Sequence, residues 1–215
     1  MANLHDLLCD THAAVMVIDM QNDYCHPDGA LAKNGADVSG VDEIVPNVQR
    51  LLEAAELYEK PVLFVQTIHT DATDSEVWKM RASGKMRQVC RPNTWGAEYY
   101  GVSPKSTDII VCKHKYSGFI NTFLDSVLRA QKIETLLIAG VSTNVCVEST
   151  ARDAFMLDYR VVLLKDGCAS YERAAHEMTI ENIGQYFGTV AYVDDVITIW
   201  KQEAEQTVQV QSSVQ

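Results

Sequence analysis

The stretch Leu136-Leu137-Ile138-Ala139-Gly140-Val141-Ser142-Thr143-Asn144-Val145-Cys146 decides how the rest of the chain is read. Its first half is an unbroken apolar run, the mark of a strand covered on both faces as in parallel sheets. Its second half turns polar and opens a helical pattern over Thr143–Tyr159. A buried strand that hands over to a helix within a few residues is one half of a βαβ unit.

The same pattern repeats on either side. Ala13–Ile18, Val62–Thr67, Ile109–Cys112, Thr135–Ala139, Val161–Leu164 and Val190–Val193 all read as short buried strands. Between them, Asp42 is a candidate N-cap for a helix to about Glu59. Its apolar face is Val45, Val48, Leu51, Leu52 and Ala55, with Pro46 in the first turn. Asn121 or Thr122 caps a second helix with Phe123, Val127, Leu128 and Ile133 facing inward, and Tyr171–Phe187 forms another. Alternation of this kind predicts right-handed crossovers and a parallel six-stranded sheet with helices on both faces.

Two segments break the rhythm. His69 to Lys105 contains Trp78, Trp95, Tyr99 and Tyr100 without clear periodicity, and loops this long inside a domain are usually functional. The tail 201–215 has no core-forming pattern and is expected to be a mobile end or an oligomer arm. The chain of 215 residues has room for one sizeable domain, expected over 1–215 with its core at about 13–200.

Composition narrows the function. A hydrophobic fraction of 47% and a charged fraction of 22% are those of an ordinary soluble protein. A net charge of −11 argues against nucleic acid and against an anionic membrane surface as partners. No apolar run reaches the ~18 residues that a membrane span needs. Met1 to His12, with Asp6 and Asp10, has no basic start and is not expected to be a secretory signal. The six cysteines form no CxxC pair, so the expected setting is the cytoplasm with reduced thiols.

Ligands of open parallel sheets bind at the carboxyl ends of the strands. Three such ends carry reactive groups: Asp19 after the first strand, Lys113 after the third, Cys146 beyond the fourth. A cysteine in the first turn of a helix feels the positive end of the helix dipole, and a nearby ammonium adds to it, so thiolate is expected to gain over thiol. A carboxylate can take the thiol proton, and free backbone N–H groups can hold an oxyanion. Nucleophile, base and oxyanion donors are what attack on an amide carbonyl requires.

Here the sequence resembles the isochorismatase-like cysteine hydrolase family. The resemblance rests on Val17-Ile18-Asp19-Met20-Gln21-Asn22-Asp23, on Lys113-His114-Lys115-Tyr116-Ser117-Gly118-Phe119 with Thr122 and Leu124, and on Gly140 to Thr150 followed by Arg152-Asp153. It implies a three-layer αβα Rossmann-like sandwich, a homo-oligomer (tetramer or dimer), and a catalytic triad of Asp19, Lys113 and Cys146. It also implies a cis peptide at Val141–Ser142, with the amides of Ser142 and Cys146 as the oxyanion hole.

Within the family, Cys146 argues against isochorismate as substrate. Nicotinamidases add a metal site on an Asp-x-His pair; here Thr67-Ile68-His69-Thr70-Asp71 departs from that pattern, so neither a metal nor another cofactor is expected. The text is most similar to the ureide and carbamoyl branch: biuret and triuret hydrolases, ureidoacrylate amidohydrolase and N-carbamoylsarcosine amidase. Gln185 looks similar in position to a glutamine that reads the substrate amide in biuret hydrolases, so biuret-type substrates come first. Tyr24, Trp95 and Phe119 are candidate pocket walls. The alternatives are another small-amide amidase, for maleamate or nicotinamide, and a non-catalytic member acting as a binding protein. A flavin or dinucleotide protein is disfavoured because no GxGxxG follows a strand.

Overall fold

The computed structural model describes residues 3–9 and 11–213, with the side chains of 82, 83, 85, 86 and 210–213 outside the description. Six strands form one sheet: β1 Ala13–Ile18, β2 Val62–Thr67, β3 Ile109–Lys113, β4 Thr135–Val141, β5 Arg160–Ala169 and β6 Thr189–Ala191. All pairings are parallel, in the order β3-β2-β1-β4-β5-β6. The helices are α1 Leu4–Cys9, α2 Asn22–Cys25, α3 Ala30–Lys33, α4 Ser39–Leu57, α5 Glu76–Met80, α6 Leu124–Ala130, α7 Glu148–Met156, α8 Arg173–Tyr186 and α9 Val193–Ser213.

Period-two alternation splits the apolar strand residues between two cores. Val15, Val17, Phe64, Leu137 and Leu164 meet Leu8 of α1, Val48 and Leu51 of α4, and Trp200 of α9. Met16, Ile18, Val65, Ile138 and Leu163 meet Leu124 of α6, Ala151 of α7 and Ile183 of α8. Helices therefore cover both faces, and the three-layer αβα Rossmann-like sandwich with a parallel six-stranded sheet is the observed fold.

Four local expectations are corrected. α4 starts at Ser39, a turn before Asp42, because Val38 and Val41 extend its buried face; the Asp42 carboxylate instead accepts from the Tyr100 hydroxyl at 2.6 Å. Pro46 thus lies inside the helix rather than in its first turn. Phe123 is half exposed, while Leu124 and Leu128 take the inward positions. The last strand is shorter than expected, and Val193 opens α9. Within the tail, α9, anchored by buried Val193, Val196 and Trp200, runs on to Ser213, with Lys60 and Glu203 paired at 3.0 Å. Residues 214 and 215 lie outside the described residues.

The strand order reverses between β1 and β4, which makes the crevice at their carboxyl ends the expected ligand position. Gly140 lets the two strands close there. Its φ is +119°, and a Cβ would stand 2.1 Å from the carbonyl oxygen of Ile18.

Candidate active site

The carboxyl ends of β1, β2 and β3, on one side of the crevice, each contribute one group. Asp19 follows β1, in the left-handed region at φ 53°, and its amide bonds to Val65 O at 2.9 Å. Lys113 ends β3 and is fully buried. Its Nζ lies 2.7 Å from Asp19 Oδ2 and donates to Thr67 Oγ1 at 2.7 Å and to Lys115 O at 3.1 Å. Thr67, at the end of β2, donates in turn to Asp19 Oδ1 at 2.8 Å. A buried carboxylate, a buried ammonium and a bridging hydroxyl thus complete one another. Removing any one leaves the others buried without compensation.

Cys146 completes the group from the far side of the switch point. Its thiol shares a cavity lining with Asp19 and Lys113 and feels the charge of both. The Val141–Ser142 peptide is cis, as the sequence resemblance implied, and Thr143–Val147 then forms a wide π-type turn before α7 begins at Glu148. Cys146 therefore sits in that turn and not in the first turn of an α-helix. Its carbonyl accepts from Thr150 Oγ1 at 2.7 Å, and the same hydroxyl accepts from Gly118 N at 3.0 Å, tying the nucleophile turn to the loop after β3.

The electrostatics correct one expectation. Burial pushes the Cys146 thiol up to about 12, ahead of the lowering by Lys113, and Asp19 adds to the rise. Burial thus favours the thiol over the thiolate, against the expectation from the helix dipole and the nearby ammonium. Lys113 is held above its usual range: burial opposes the ammonium, but Asp19 and Cys146 outweigh it.

A cavity of about 50 Å³ opens on this cluster. That is small beside the roughly 300–1,000 Å³ typical of ligand pockets, so it suits a compact molecule. Asp19, Thr67, Lys113, Ser142 and Cys146 form its floor. Tyr24 lines it, and Tyr171 stands beside it, its hydroxyl donating to Tyr24 O at 3.1 Å. The roof is His69, Trp78, Arg81, Lys115 and Tyr116.

The remaining sequence candidates lie elsewhere. Trp95 is 46% exposed and its ring packs edge-on to His26 at 5.0 Å. What its stretch contributes is backbone: Trp95 O accepts from Asn22 Nδ2 at 2.8 Å, and Ala97 O from Gln21 Nε2 at 2.9 Å. Gly96 fits against the Asp23 carboxylate, where a Cβ would be 2.1 Å from an oxygen. These contacts lash the excursion to the segment that follows Asp19. Phe119 packs into the core on the α6–α8 side, its ring 5.9 Å from Tyr159. Gln185 is exposed on α8 and does not reach the cavity. Its neighbour Asn182 has a structural partner, donating to Glu148 Oε1 at 3.1 Å.

Sequence reading missed Thr67, although the strand-end rule that selected its neighbours applies equally to the end of β2. It also missed Arg81 as a roof residue, for which no local signal exists. His69 was weighed only as a metal ligand. Its Nδ1 is 3.2 Å from Asp74 Oδ1, and Asp74 Oδ2 is 3.1 Å from Arg91. Among the described residues, no group of three or more His, Cys, Asp or Glu side chains is placed to hold a metal ion.

A thiol, a lysine and a carboxylate gathered at the switch point of a parallel αβα sheet define the class: an α/β protein with a cysteine-centred hydrolase site. Residues 13–195 match the Isochorismatase domain, and the chain belongs to that family. It is 36% identical to the ureidoacrylate amidohydrolase RutB of Agrobacterium fabrum, over 92% of this chain and 93% of that protein. It is likewise 36% identical to the RutB of Variovorax paradoxus, over 86% and 80%. Among solved structures, a cysteine hydrolase from Pseudomonas syringae pv. phaseolicola 1448A superposes with a TM-score of 0.82 at 31% identity, covering 89% of this chain and 93% of the other.

Proposed function

We propose that this hydrolase of C–N amide bonds cleaves a small ureide through an acyl-enzyme on Cys146. The observation that carries the reading is the Asp19–Lys113 ion pair at 2.7 Å, lining the same small cavity as Cys146. Asp19 takes the thiol proton as sulfur attacks the carbonyl carbon, and the amides of Ser142 and Cys146 hold the oxyanion. Asp19 then gives its proton to the departing nitrogen as the C–N bond breaks, releasing ammonia or an amine. Water, deprotonated by Asp19, attacks the thioester-like intermediate, and the thiolate that leaves regains its proton from Asp19. Lys113 neutralises the charge that moves between sulfur and carboxylate.

Among ureides, biuret was favoured in the sequence through Gln185, whose position on the exposed face of α8 withdraws that support. The curated relatives support ureidoacrylate. Six free thiols fit a reducing cytoplasm. Exposed Phe155, Met156 and Tyr186, with Phe187 partly buried beside them, fit a homo-oligomer. Among the described residues, no helix is long and apolar enough to cross a membrane.

The test is ammonia release from biuret, triuret, ureidoacrylate, N-carbamoylsarcosine, nicotinamide and maleamate, with and without EDTA. The expected result is EDTA-insensitive turnover of a ureide that is absent in Cys146→Ser. Turnover of nicotinamide alone, or full activity in the variant, would refute the reading.

A further inference from the structure

The roof of the cavity holds polar atoms that the protein itself leaves unpaired. Indole Nε1 of Trp78 and Nη1 of Arg81 are both buried without a hydrogen-bond acceptor. Buried donors normally have partners, and both residues line the same small cavity, where a ligand could supply them. Both side chains are held in place by ring packing. The Arg81 guanidinium lies 5.3 Å from the Trp78 ring centre and 4.9 Å from that of Tyr116, and the two rings are 4.9 Å apart. Lys115 Nζ sits 4.9 Å from the Trp78 ring centre and donates to Thr73 O at 3.2 Å. A protein of net charge −11 thus collects cations over this cavity.

A guanidinium N–H beside an indole N–H is a donor-only surface. A neutral ureide can offer only an uncharged carbonyl oxygen there, and its N–H groups would meet donors. A carboxylate offers two acceptor oxygens and opposite charge, which a guanidinium fork matches. We infer that Trp78 and Arg81 bind the carboxylate of a ureido acid, whose carbamoyl group then lies at Cys146. This rests on the ureide reading above and narrows it to ureides that carry a carboxylate at the end away from the scissile bond.

The test compares Arg81→Gln, Arg81→Lys and Trp78→Phe with wild type on ureidoacrylate and on biuret. The expected result for Arg81→Gln is a KM for ureidoacrylate raised about 100-fold with kcat changed less than about threefold, as loss of a charged hydrogen bond predicts. Arg81→Lys recovers part of that loss, Trp78→Phe raises KM about tenfold, and in Arg81→Gln the KM for biuret, which carries no carboxylate, rises at least about tenfold less than that for ureidoacrylate. Equal losses on both substrates, or an unchanged KM for ureidoacrylate, would overturn the inference. Binding reads the clamp without turnover: Cys146→Ser is titrated with 3-ureidopropionate by calorimetry, with and without Arg81→Gln. Failure to bind, or binding unaffected by Arg81→Gln, also overturns it. Absence of turnover from every ureide, with binding that depends on Arg81, would sink the proposed reaction and leave the carboxylate site standing.

Discussion

The floor and the roof of the cavity are built in opposite ways. On the floor, Asp19, Thr67 and Lys113 stand on neighbouring strands and pair with one another at 2.7 to 2.8 Å. On the roof, Trp78 and Arg81 come from a long excursion and keep buried donors unpaired. The floor is complete before substrate arrives, as electrostatic preorganisation of a reaction requires. The roof is completed only by a ligand. Chemistry is thus entrusted to rigid strand ends, and recognition to a loop that can vary without disturbing them.

The comparison can be broken most directly at the floor. Cys146→Ser should lower kcat by roughly 10⁴-fold or more while leaving the unfolding transition nearly unchanged; single-turnover assays beside thermal melts check both halves. Lys113→Ala should abolish turnover and, by stranding the buried Asp19 carboxylate, cost about 3–5 kcal/mol in denaturant unfolding. A stable Lys113→Ala protein would show that the floor is not an interdependent unit. Thr67→Val removes the hydroxyl between carboxylate and ammonium, with an expected cost of about 1–3 kcal/mol and a smaller loss of kcat than either change above.

Smaller effects sharpen the boundary between the two regions. Burial holds His69 down at about 4, against the opposing pull of Asp74, with Lys113 lowering it further. The unfolded chain takes up a proton near pH 6.5 and the folded one does not. Stability should therefore fall as pH drops from 6.5 towards 4. Melting temperatures of wild type and His69→Gln across that window should diverge in slope, with the variant shallower. The smallest effect is expected from Gln185→Ala, less than twofold in kcat/KM. A larger loss would mean that α8 of a neighbouring copy reaches the cavity.

Legibility followed locality. The six strands could be read because each is a continuous apolar run, and the candidate site because Asp19 and Lys113 directly follow or end such runs and Cys146 lies in the turn after another. Thr67 sits at an equivalent place and was passed over only because a threonine carries no reactive signature of its own. Trp95 illustrates the opposite error. Its aromatic ring suggested a pocket wall, whereas the useful groups of that stretch are carbonyls pairing with Gln21 and Asn22. A carbonyl that accepts from a side-chain amide more than 70 residues away leaves no trace in the pattern of its own stretch.

The sequence by itself determined the layered parallel sheet, its strand ends and the positions of the candidate reactive groups on them. Periodicity and strand termination are properties of adjacent residues. Only the tertiary structure decided that Cys146 rests as a thiol, because its acidity depends on how thoroughly the surrounding layers exclude water. It also decided that Gln185, Trp95 and Phe119 stand away from the cavity while Trp78 and Arg81 close it. Those placements depend on which distant surfaces pack together, and desolvation and unpaired donors exist only once they have.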